Sequence, residues 1–148
     1  MIPNIKKELV VDAPQNVCFK VFTEQMDAWW PKTHHVGKTP MTEMVLEPGN
    51  GGRWYSKHED GSEVNVGTVL SWDPYDLLIL NWQIDANFQC DPTIISEIEV
   101  RFITEGQQTR VKMEHKDLDR LGQGGKAIES MDEGWGMILN RYKIIAEQ

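Results

Sequence analysis

The residues of this sequence best suited to acid–base chemistry near neutral pH are its four histidines. His58 and His115 lie in stretches whose alternation predicts β-strands. Both share the parity of apolar neighbours, so we expect both rings to face inward. An inward histidine can act as a general base, orient a ligand, or serve as a satisfied core group. His34 and His35 are adjacent in a predicted loop, where their side chains should diverge, and no metal site is predicted.

Other groups with chemical potential favour structural roles. Glu97 and Glu99 lie about 7 Å apart on one face of a predicted strand, a spacing compatible with catalysis by paired carboxylates. Arg101 shares that face, which therefore predicts a solvated ladder of charges. The stretch 122–127 matches G-x-G-x-x-A but lacks a βαβ setting. No nucleophile–base pair is evident, so we predict neither a catalytic residue nor a cofactor.

The element that must position the inward histidines is the C-terminal stretch from Gly124 to Gln148. Its apolar side chains recur at helical spacing, which predicts one long amphipathic helix with the stripe Ile128, Met131, Trp135, Ile138, Tyr142 and Ile145. Trp135 lies between Gly134 and Gly136, which suggests a close approach or a bend at this point. We expect the part before Trp135 to form a cavity wall and the part after it to form core.

Upstream of that helix, the chain predicts strands joined by tight turns after a short helical insert. Residues 5–12 predict the first strand, Asp12-Ala-Pro begins the insert, and Pro31 ends it. Alternation and turn residues predict six further strands, namely Thr42–Leu46, Arg53–His58, Glu63–Trp72, Leu77–Ile84, Ile94–Ile103 and Thr109–His115. This order predicts an α+β fold with an antiparallel meander, as a single domain over residues 1–148.

Composition and charge limit the partners of the chain. The net charge is −8, with 12 acidic and 3 basic side chains between residues 41 and 105. Such a field disfavours nucleic acid and anionic membrane surfaces. No apolar run approaches the ~20 residues of a membrane span, so we expect a cytoplasmic protein without integral membrane association. Cys18 is expected to be a buried free thiol, and a Cys18–Cys90 bridge is the alternative.

Six tryptophans are a large number for a chain of 148 residues. They either fill a core or, together with Met26, Met131 and Met137, form adaptable walls for an apolar ligand. Trp29 and Trp30 are adjacent, and two neighbours cannot both face inward on a regular helix. One of them is therefore expected at an exposed patch or at a cavity mouth.

Several longer motifs make the comparison with a known family specific. They are Glu47–Tyr55 (EPGNGGRWY), Asp60–Glu63 (DGSE), Gly67–Pro74 (GTVLSWDP), Leu78–Ile84 (LILNWQI), Ser96–Phe102 (SEIEVRF), Thr109–His115 (TRVKMEH) and Gly134–Trp135. In their order and spacing, the chain resembles the activator-of-heat-shock-ATPase-like group of the SRPBCC superfamily, from Ile5 to Tyr142. The resemblance implies a helix-grip fold. In that fold a curved antiparallel sheet of six to seven strands wraps around a long C-terminal helix, with two short helices after the first strand and a cavity between.

Members of that superfamily bind lipids, hormones and polyketides or act as enzymes, so the resemblance implies a ligand site and not one activity. We predict that the chain binds a small hydrophobic molecule in a cavity lined by Trp54, His58, Trp82, His115, Met131 and Trp135. One alternative is a cyclase or dehydratase-type enzyme that uses an inward histidine as general base. The other is a co-chaperone-like interaction module or a homodimer, for which Trp29-Trp30 would supply the surface.

Overall fold

The computed structural model of the chain describes residues 4–35, 37–85, 89–118 and 125–148, with side chains in the last range from residue 129 onward. The elements follow the order β1 (Ile5–Val11), α1 (Gln15–Glu24), α2 (Met26–Trp29), β2 (Met41–Leu46), β3 (Arg53–His58), β4 (Glu63–Asp73), β5 (Leu77–Trp82), β6 (Ser96–Glu105), β7 (Gln108–His115) and α3 (Gly125–Ala146). This order confirms the predicted α+β helix-grip architecture, including two short helices after the first strand.

All of these strands form one antiparallel sheet, in the order β1-β7-β6-β5-β4-β3-β2. The sheet bends at three successive register shifts, between Met41 and Glu43 in β2, Trp54 and Tyr55 in β3, and Val69 and Ser71 in β4. Such bulges bend a strand and increase its twist. Gly67 lets β4 approach β5 closely, because a Cβ there would lie 1.6 Å from the carbonyl oxygen of Asn81. The sheet therefore curls most at the end formed by β2 to β5.

The inner face of the sheet carries the side chains whose parity the sequence predicts to be inward. Those on β6 and β7 are all buried, namely Ser96, Ile98, Val100, Phe102, Thr109, Val111, Met113 and His115. On the outer face, Lys116 pairs with Glu97 at 3.1 Å and with Glu99 at 3.2 Å. Arg101 pairs with Glu99 at 2.7 Å. The two carboxylates therefore belong to a charged surface ladder, as predicted.

The C-terminal helix α3 packs against α1, α2 and β1. Trp135, Ile138 and Tyr142 of its predicted stripe are buried, whereas Met131 and Ile145 are partly buried. The side chain of Ile128 lies outside the described residues, as does most of the G-x-G-x-x-A stretch. The C-terminal half of the helix therefore forms core.

One expectation for α3 is wrong, and one of the two explanations offered for Gly134 and Gly136 is removed. Met137 was predicted to join an apolar wall, but its side chain is 46% exposed because it projects from the side of the helix opposite Trp135. A Cβ added at Gly134 or Gly136 would meet no atom closer than 3.9 Å. The two glycines therefore do not admit a close approach of another segment.

Trp29 and Trp30 are both buried, at 0% and 3% exposure, so neither lies at an exposed patch, whereas Trp30 lines the pocket described below. Trp29 is the last residue of α2, and Trp30 has an extended backbone (φ −73°, ψ 123°). Helical geometry therefore does not constrain the two rings to opposite sides, and both turn inward. This removes the exposed aromatic pair on which the predicted self-association rests.

One end of the interior, which we name the closed end, is filled by the rings of Phe19, Phe22, Trp29, Phe102 and Tyr142. Adjacent ring centroids lie 4.9 to 5.8 Å apart, mostly in edge-to-face arrangements. The polar atoms of this end are paired with backbone carbonyls. The Tyr142 hydroxyl donates to the Cys18 oxygen at 2.7 Å, and Trp29 Nε1 donates to the Val21 oxygen at 2.9 Å. Burial raises the pKa of Tyr142 well above its ordinary value, so the phenol stays neutral.

Cys18 and Cys90 do not form a disulfide with each other, in agreement with the free thiol predicted for Cys18. Cys18 is buried and free, and Cys90 is free and partly buried. Burial raises the pKa of both thiols.

Within the described residues, no helix has the length and apolar character needed to cross a membrane.

Candidate functional site

A pocket of about 290 Å³ lies at the other end of the interior, between α3 and the curled strands β2 to β5. Its apolar wall is formed by Trp30, Met44, Val66, Trp82, Ile84, Met131, Trp135 and Ile138. Its remaining lining residues are Thr33, His34, His35, Ser56, Ser130 and Gly134. Thr33 and Ser130 are exposed and mark the side at which the pocket reaches solvent. No Asp, Glu, Lys or Arg in the described part of the chain lines the pocket.

Four tryptophans, which we name the tryptophan quartet, surround the inner end of this pocket: Trp30, Trp54, Trp82 and Trp135. Each ring contacts two others in the quartet, with centroids 5.5 to 6.0 Å apart. Trp30 and Trp82 are held in place by their indole N–H groups, which donate to the carbonyl oxygens of His34 and Ile84 at 2.7 and 2.8 Å. The wall is therefore rigid, aromatic and preorganised.

The six side chains predicted to line the cavity fall into two layers. Trp82, Met131 and Trp135 lie on the pocket wall, whereas Trp54, His58 and His115 do not line it. The latter three are buried directly behind the wall. Their side chains point inward, as predicted, but other side chains lie between them and the pocket. The expectation of direct lining is therefore corrected for Trp54, His58 and His115.

His115 anchors the Trp135 side of the wall through a chain of hydrogen bonds. An indole N–H can only donate, so Trp135 Nε1 donates to His115 Nδ1 at 3.2 Å. The second ring nitrogen, Nε2, then carries the proton and donates to Ser96 Oγ at 2.9 Å. Ser96 in turn donates to the carbonyl oxygen of Lys116 at 2.8 Å. This network requires a neutral ring, and burial lowers the pKa of His115 to about 3.

His58 makes a second buried network, on the opposite side of the pocket. Its Nδ1 lies 2.8 Å from the carbonyl oxygen of Thr39, which can only accept, so Nδ1 carries the proton. In the neutral ring, Nε2 is then an acceptor, and Ser56 Oγ donates to it at 2.7 Å. The sequence patterns predict no nucleophile–base pair, yet this serine and histidine are hydrogen-bonded in the way such a pair would be. The spacing of residues 56 and 58, which places both side chains on one face of a strand, could have revealed this pair.

His34 and His35 both line the pocket, so the expectation that their side chains diverge is wrong. The backbone turns here, because the His34 N–H donates to the Pro31 oxygen at 3.0 Å, and neither strand nor helix geometry separates the two rings. Partial burial lowers the pKa of both rings, with a smaller contribution from Arg141 at His34 and from His58 at His35. The pocket therefore favours neutral imidazoles near physiological pH.

The described residues contain no cluster of three or more side chains suited to hold a metal ion. The polar groups of the pocket are hydroxyls and imidazoles, which donate and accept hydrogen bonds without a full charge. Chemically, the arrangement can bury an apolar ring system and hold one or two polar substituents.

Comparison with known proteins places the chain in a recognised group. A family model described as "Activator of Hsp90 ATPase homolog 1-like protein" matches residues 12–147. No curated protein matches the chain. Many solved structures do, among them two that are more than 30% identical to it.

The first of these is a structure of the anthrahydroquino-gamma-pyrone synthase Txn09 complexed with SUM. It is 34% identical, with 97% of each chain covered and a TM-score of 0.67. The second is the solution structure of the self-sacrificing resistance protein CalC from Micromonospora echinospora. It is 31% identical, with 97% of this chain and 94% of that chain covered and a TM-score of 0.71.

A more distant structure, the Aha1 dimer from Colwellia psychrerythraea, has a TM-score of 0.71 at 14% identity, with 99% of this chain and 97% of that chain covered. At this identity the likeness concerns the fold alone.

Proposed function

Because the chain belongs to the family of Activator of Hsp90 ATPase homolog 1-like proteins, we propose that it binds a compact, planar, hydrophobic molecule in the pocket beside the tryptophan quartet. The observation that carries this proposal is the wall itself. Trp30, Trp82 and Trp135 present aromatic surface to a space of about 290 Å³ that no charged side chain of the described residues lines. Aromatic rings stack on such surfaces in offset or edge-to-face geometry.

The size of the pocket favours a compact ligand over a long acyl chain. Ligand pockets in proteins span about 300–1,000 Å³, so this one is at the small end of the range. The polar groups of His34, His35 and Ser56 line the same space and would pair with a hydroxyl or carbonyl substituent. A hydroxylated fused-ring molecule combines these features.

The name of one relative supports the same class of ligand. The synthase at 34% identity is named for an anthrahydroquino-gamma-pyrone, which denotes a fused aromatic product. That name describes the relative only. It motivates the choice of a dihydroxyanthraquinone as the first probe for this chain.

Quenching of tryptophan fluorescence tests the proposal, because three of the six tryptophans line the pocket and Trp54 packs behind them. The probes are a dihydroxyanthraquinone, palmitate and cholesterol. We expect saturable quenching by the anthraquinone and weaker binding of the two larger lipids. An absence of saturable change with any of the three at high micromolar concentration would contradict the proposal.

Two variants of α3 provide a matched pair for this titration. Ser130 and Glu133 are both exposed, but only Ser130 lines the pocket. Ser130→Phe should fill the mouth and weaken anthraquinone binding at least about tenfold, which corresponds to about 1.4 kcal/mol. Glu133→Phe places the same ring outside the pocket and should leave the affinity unchanged. Equal affinities for the two variants would place the ligand elsewhere.

A synthase- or cyclase-type enzyme is the second candidate, favoured by the identity to a chain named as a synthase. Of the two histidines first considered as general bases, His115 has both ring nitrogens engaged behind the wall. His34 lines the pocket, and Thr33 Oγ1 can accept the proton of its Nδ1 at 3.0 Å, which leaves Nε2 as the better candidate. Deuterium exchange at the α-carbon of an aryl methyl ketone, followed by NMR, would detect a general base. Protein-dependent exchange that is lost in His34→Gln would support this candidate, and exchange at the solvent rate would exclude it.

A further inference from the structure

Ser56 and His58 have the hydrogen-bonding directions of a nucleophile and its base. The Ser56 hydroxyl donates to His58 Nε2 at 2.7 Å, and His58 Nδ1 donates to the Thr39 oxygen at 2.8 Å. A serine is activated when a histidine accepts its proton and a third group orients that histidine. Here the third group is a backbone carbonyl, which fixes the same tautomer that a carboxylate would.

The loop before β2 holds the His58 ring on this side of the strand. A Cβ added at Gly37 would lie 2.3 Å from His58 Cε1 and 2.6 Å from Nε2, so the glycine backbone rests directly on the ring. The His35 ring contacts the His58 ring edge-on, and the two ring centroids lie 5.0 Å apart. The base is therefore fixed by Gly37, Thr39 and His35, as an active-site base must be to keep its geometry.

Ser56 is the member of the pair that meets the pocket. It lines the pocket, whereas His58 lies behind it, so a bound molecule contacts the hydroxyl first. His58 Nε2 faces the Ser56 hydroxyl, so a bound molecule meets the hydroxyl before it can reach the base. The arrangement matches nucleophilic catalysis better than direct proton abstraction from a ligand.

His35 supplies a hydrogen-bond donor to the same pocket that Ser56 lines. Its Nδ1 accepts from the Gly37 N–H at 3.2 Å, so in the neutral ring Nε2 carries the proton. Partial burial lowers the pKa of His35, which favours this neutral form. A donor on the pocket wall next to a nucleophile can stabilise the oxygen of a carbonyl under attack.

We propose that Ser56, activated by His58, accepts an acyl group from an aromatic or compact apolar ester or thioester bound in the pocket. Ser56 Oγ attacks the carbonyl carbon while its proton passes to His58 Nε2. The bond to the leaving alcohol or thiol then breaks, and that group takes the proton from Nε2. Water attacks the resulting acyl-serine with His58 as base, and the proton returns to Ser56 Oγ as the acid leaves. This inference rests on the proposed ligand pocket and adds a reaction to it.

The test uses 4-nitrophenyl benzoate, whose phenolate is coloured and whose acyl group is a single aromatic ring. We expect a burst of about one equivalent of nitrophenolate and a benzoyl adduct that peptide mass spectrometry maps to Ser56. Ser56→Ala should abolish both signals, and His58→Gln should slow the burst by about 10²–10⁴-fold. Ser71→Ala, a strand serine that does not line the pocket, should leave the burst unchanged.

Two further measurements keep the outcome unambiguous. Ser56→Cys retains a nucleophile at the same place, so it should still be acylated at position 56 even if Ser56→Ala fails to fold. Anthraquinone titration of the wild-type protein reports separately on the pocket. Saturable binding without acylation of Ser56, or acylation that Ser56→Ala does not remove, would overturn the nucleophile while leaving the ligand site intact. Loss of both binding and acylation would overturn the two proposals together.

Discussion

The two ends of the interior are both built from aromatic side chains, yet only one of them is filled. At the closed end, Phe19, Phe22, Trp29, Phe102 and Tyr142 pack ring against ring, and none is more than 2% exposed. At the other end, the tryptophan quartet is equally well connected but leaves about 290 Å³ beside it. A supply of large rings therefore does not decide whether a helix-grip interior closes.

The difference lies in what the polar atoms of each end contact. At the closed end they are paired with backbone carbonyls, as at Tyr142 and Trp29. At the pocket end, Trp30 and Trp82 are paired in the same way, but side chains also bond to one another, in the pairs Ser56–His58 and His115–Trp135. Backbone pairing leaves side chains nothing further to bind, whereas imidazole and hydroxyl groups on a pocket wall can exchange partners with a ligand. Under the proposed function, the closed end serves stability and the pocket end serves recognition.

The largest expected effect is at the closed end. Phe22→Ala removes a fully buried ring that contacts Trp29, Phe102 and Tyr142, so the free energy of unfolding should fall by about 3–5 kcal/mol. Anthraquinone affinity should stay unchanged at temperatures where the variant is folded. Urea denaturation and fluorescence titration measure the two quantities. A large loss of affinity with full folding would show that the two ends are not independent.

The second prediction concerns the pH dependence that His115 gives to the pocket end. The pKa of His115 is about 3 in the folded chain, against about 6.5 when unfolded, so only the unfolded chain takes up this proton as the pH falls from neutral. The stability that the neutral ring contributes is complete above the unfolded pKa and is lost as the pH falls towards 3. Between pH 7.5 and 5 the loss should be about 2 kcal/mol.

A variant isolates this contribution. His115→Asn keeps a polar side chain but has no titration in this range, so the stability gap between wild type and variant should shrink by about 2 kcal/mol over the same interval. Urea denaturation at each pH provides the values. A gap that stays constant with pH would contradict the account of a neutral buried ring at His115.

The third prediction sharpens the comparison at the His58 side of the pocket. Gly37→Ala places a methyl group against the His58 ring, so either the ring or the loop must move, at a cost of about 1–3 kcal/mol. The same change should also slow any reaction at Ser56, because the base loses its alignment. Thermal denaturation and the nitrophenolate burst measure these effects. A variant as stable as wild type would mean that the loop does not press on His58.

The smallest expected effect is a gain in stability and not a loss. A Cβ at Gly134 or Gly136 would meet nothing closer than 3.9 Å, so alanine at either position should raise stability by about 0.5–1 kcal/mol through helix propensity. Gly136 faces Lys7 and not the pocket, which makes Gly136→Ala the control for Gly134→Ala. Equal stabilisation is expected for both. Destabilisation by Gly134→Ala alone would indicate that the pocket requires a residue without a side chain at position 134.

The regular elements were predictable because each carries a repeated pattern. The alternation of Thr109–His115 specifies an inner face, and the helical spacing from Met131 to Ile145 specifies the buried stripe of α3. The closed end follows from such patterns, since its rings lie on helices and strands.

The pocket was less predictable because it is built where patterns stop. Trp30 follows the last residue of α2 and has an extended backbone, and His34 and His35 lie in or next to a turn. Parity indicates that His58 and His115 are inward but does not reveal the depth at which other side chains cover them. Depth depends on the curl of the sheet, which arises from bulges and from one glycine contact between β4 and β5.

The most direct test of the ligand pocket is an NMR titration of the six indole N–H groups with a dihydroxyanthraquinone, each peak assigned by a Trp→Phe variant. Trp30, Trp82 and Trp135 line the pocket, whereas Trp29 and Trp72 do not. The account predicts large, saturable shifts for the first three and small ones for Trp29 and Trp72. Shifts confined to Trp29 or Trp72, or no shifts at high micromolar ligand, would contradict it.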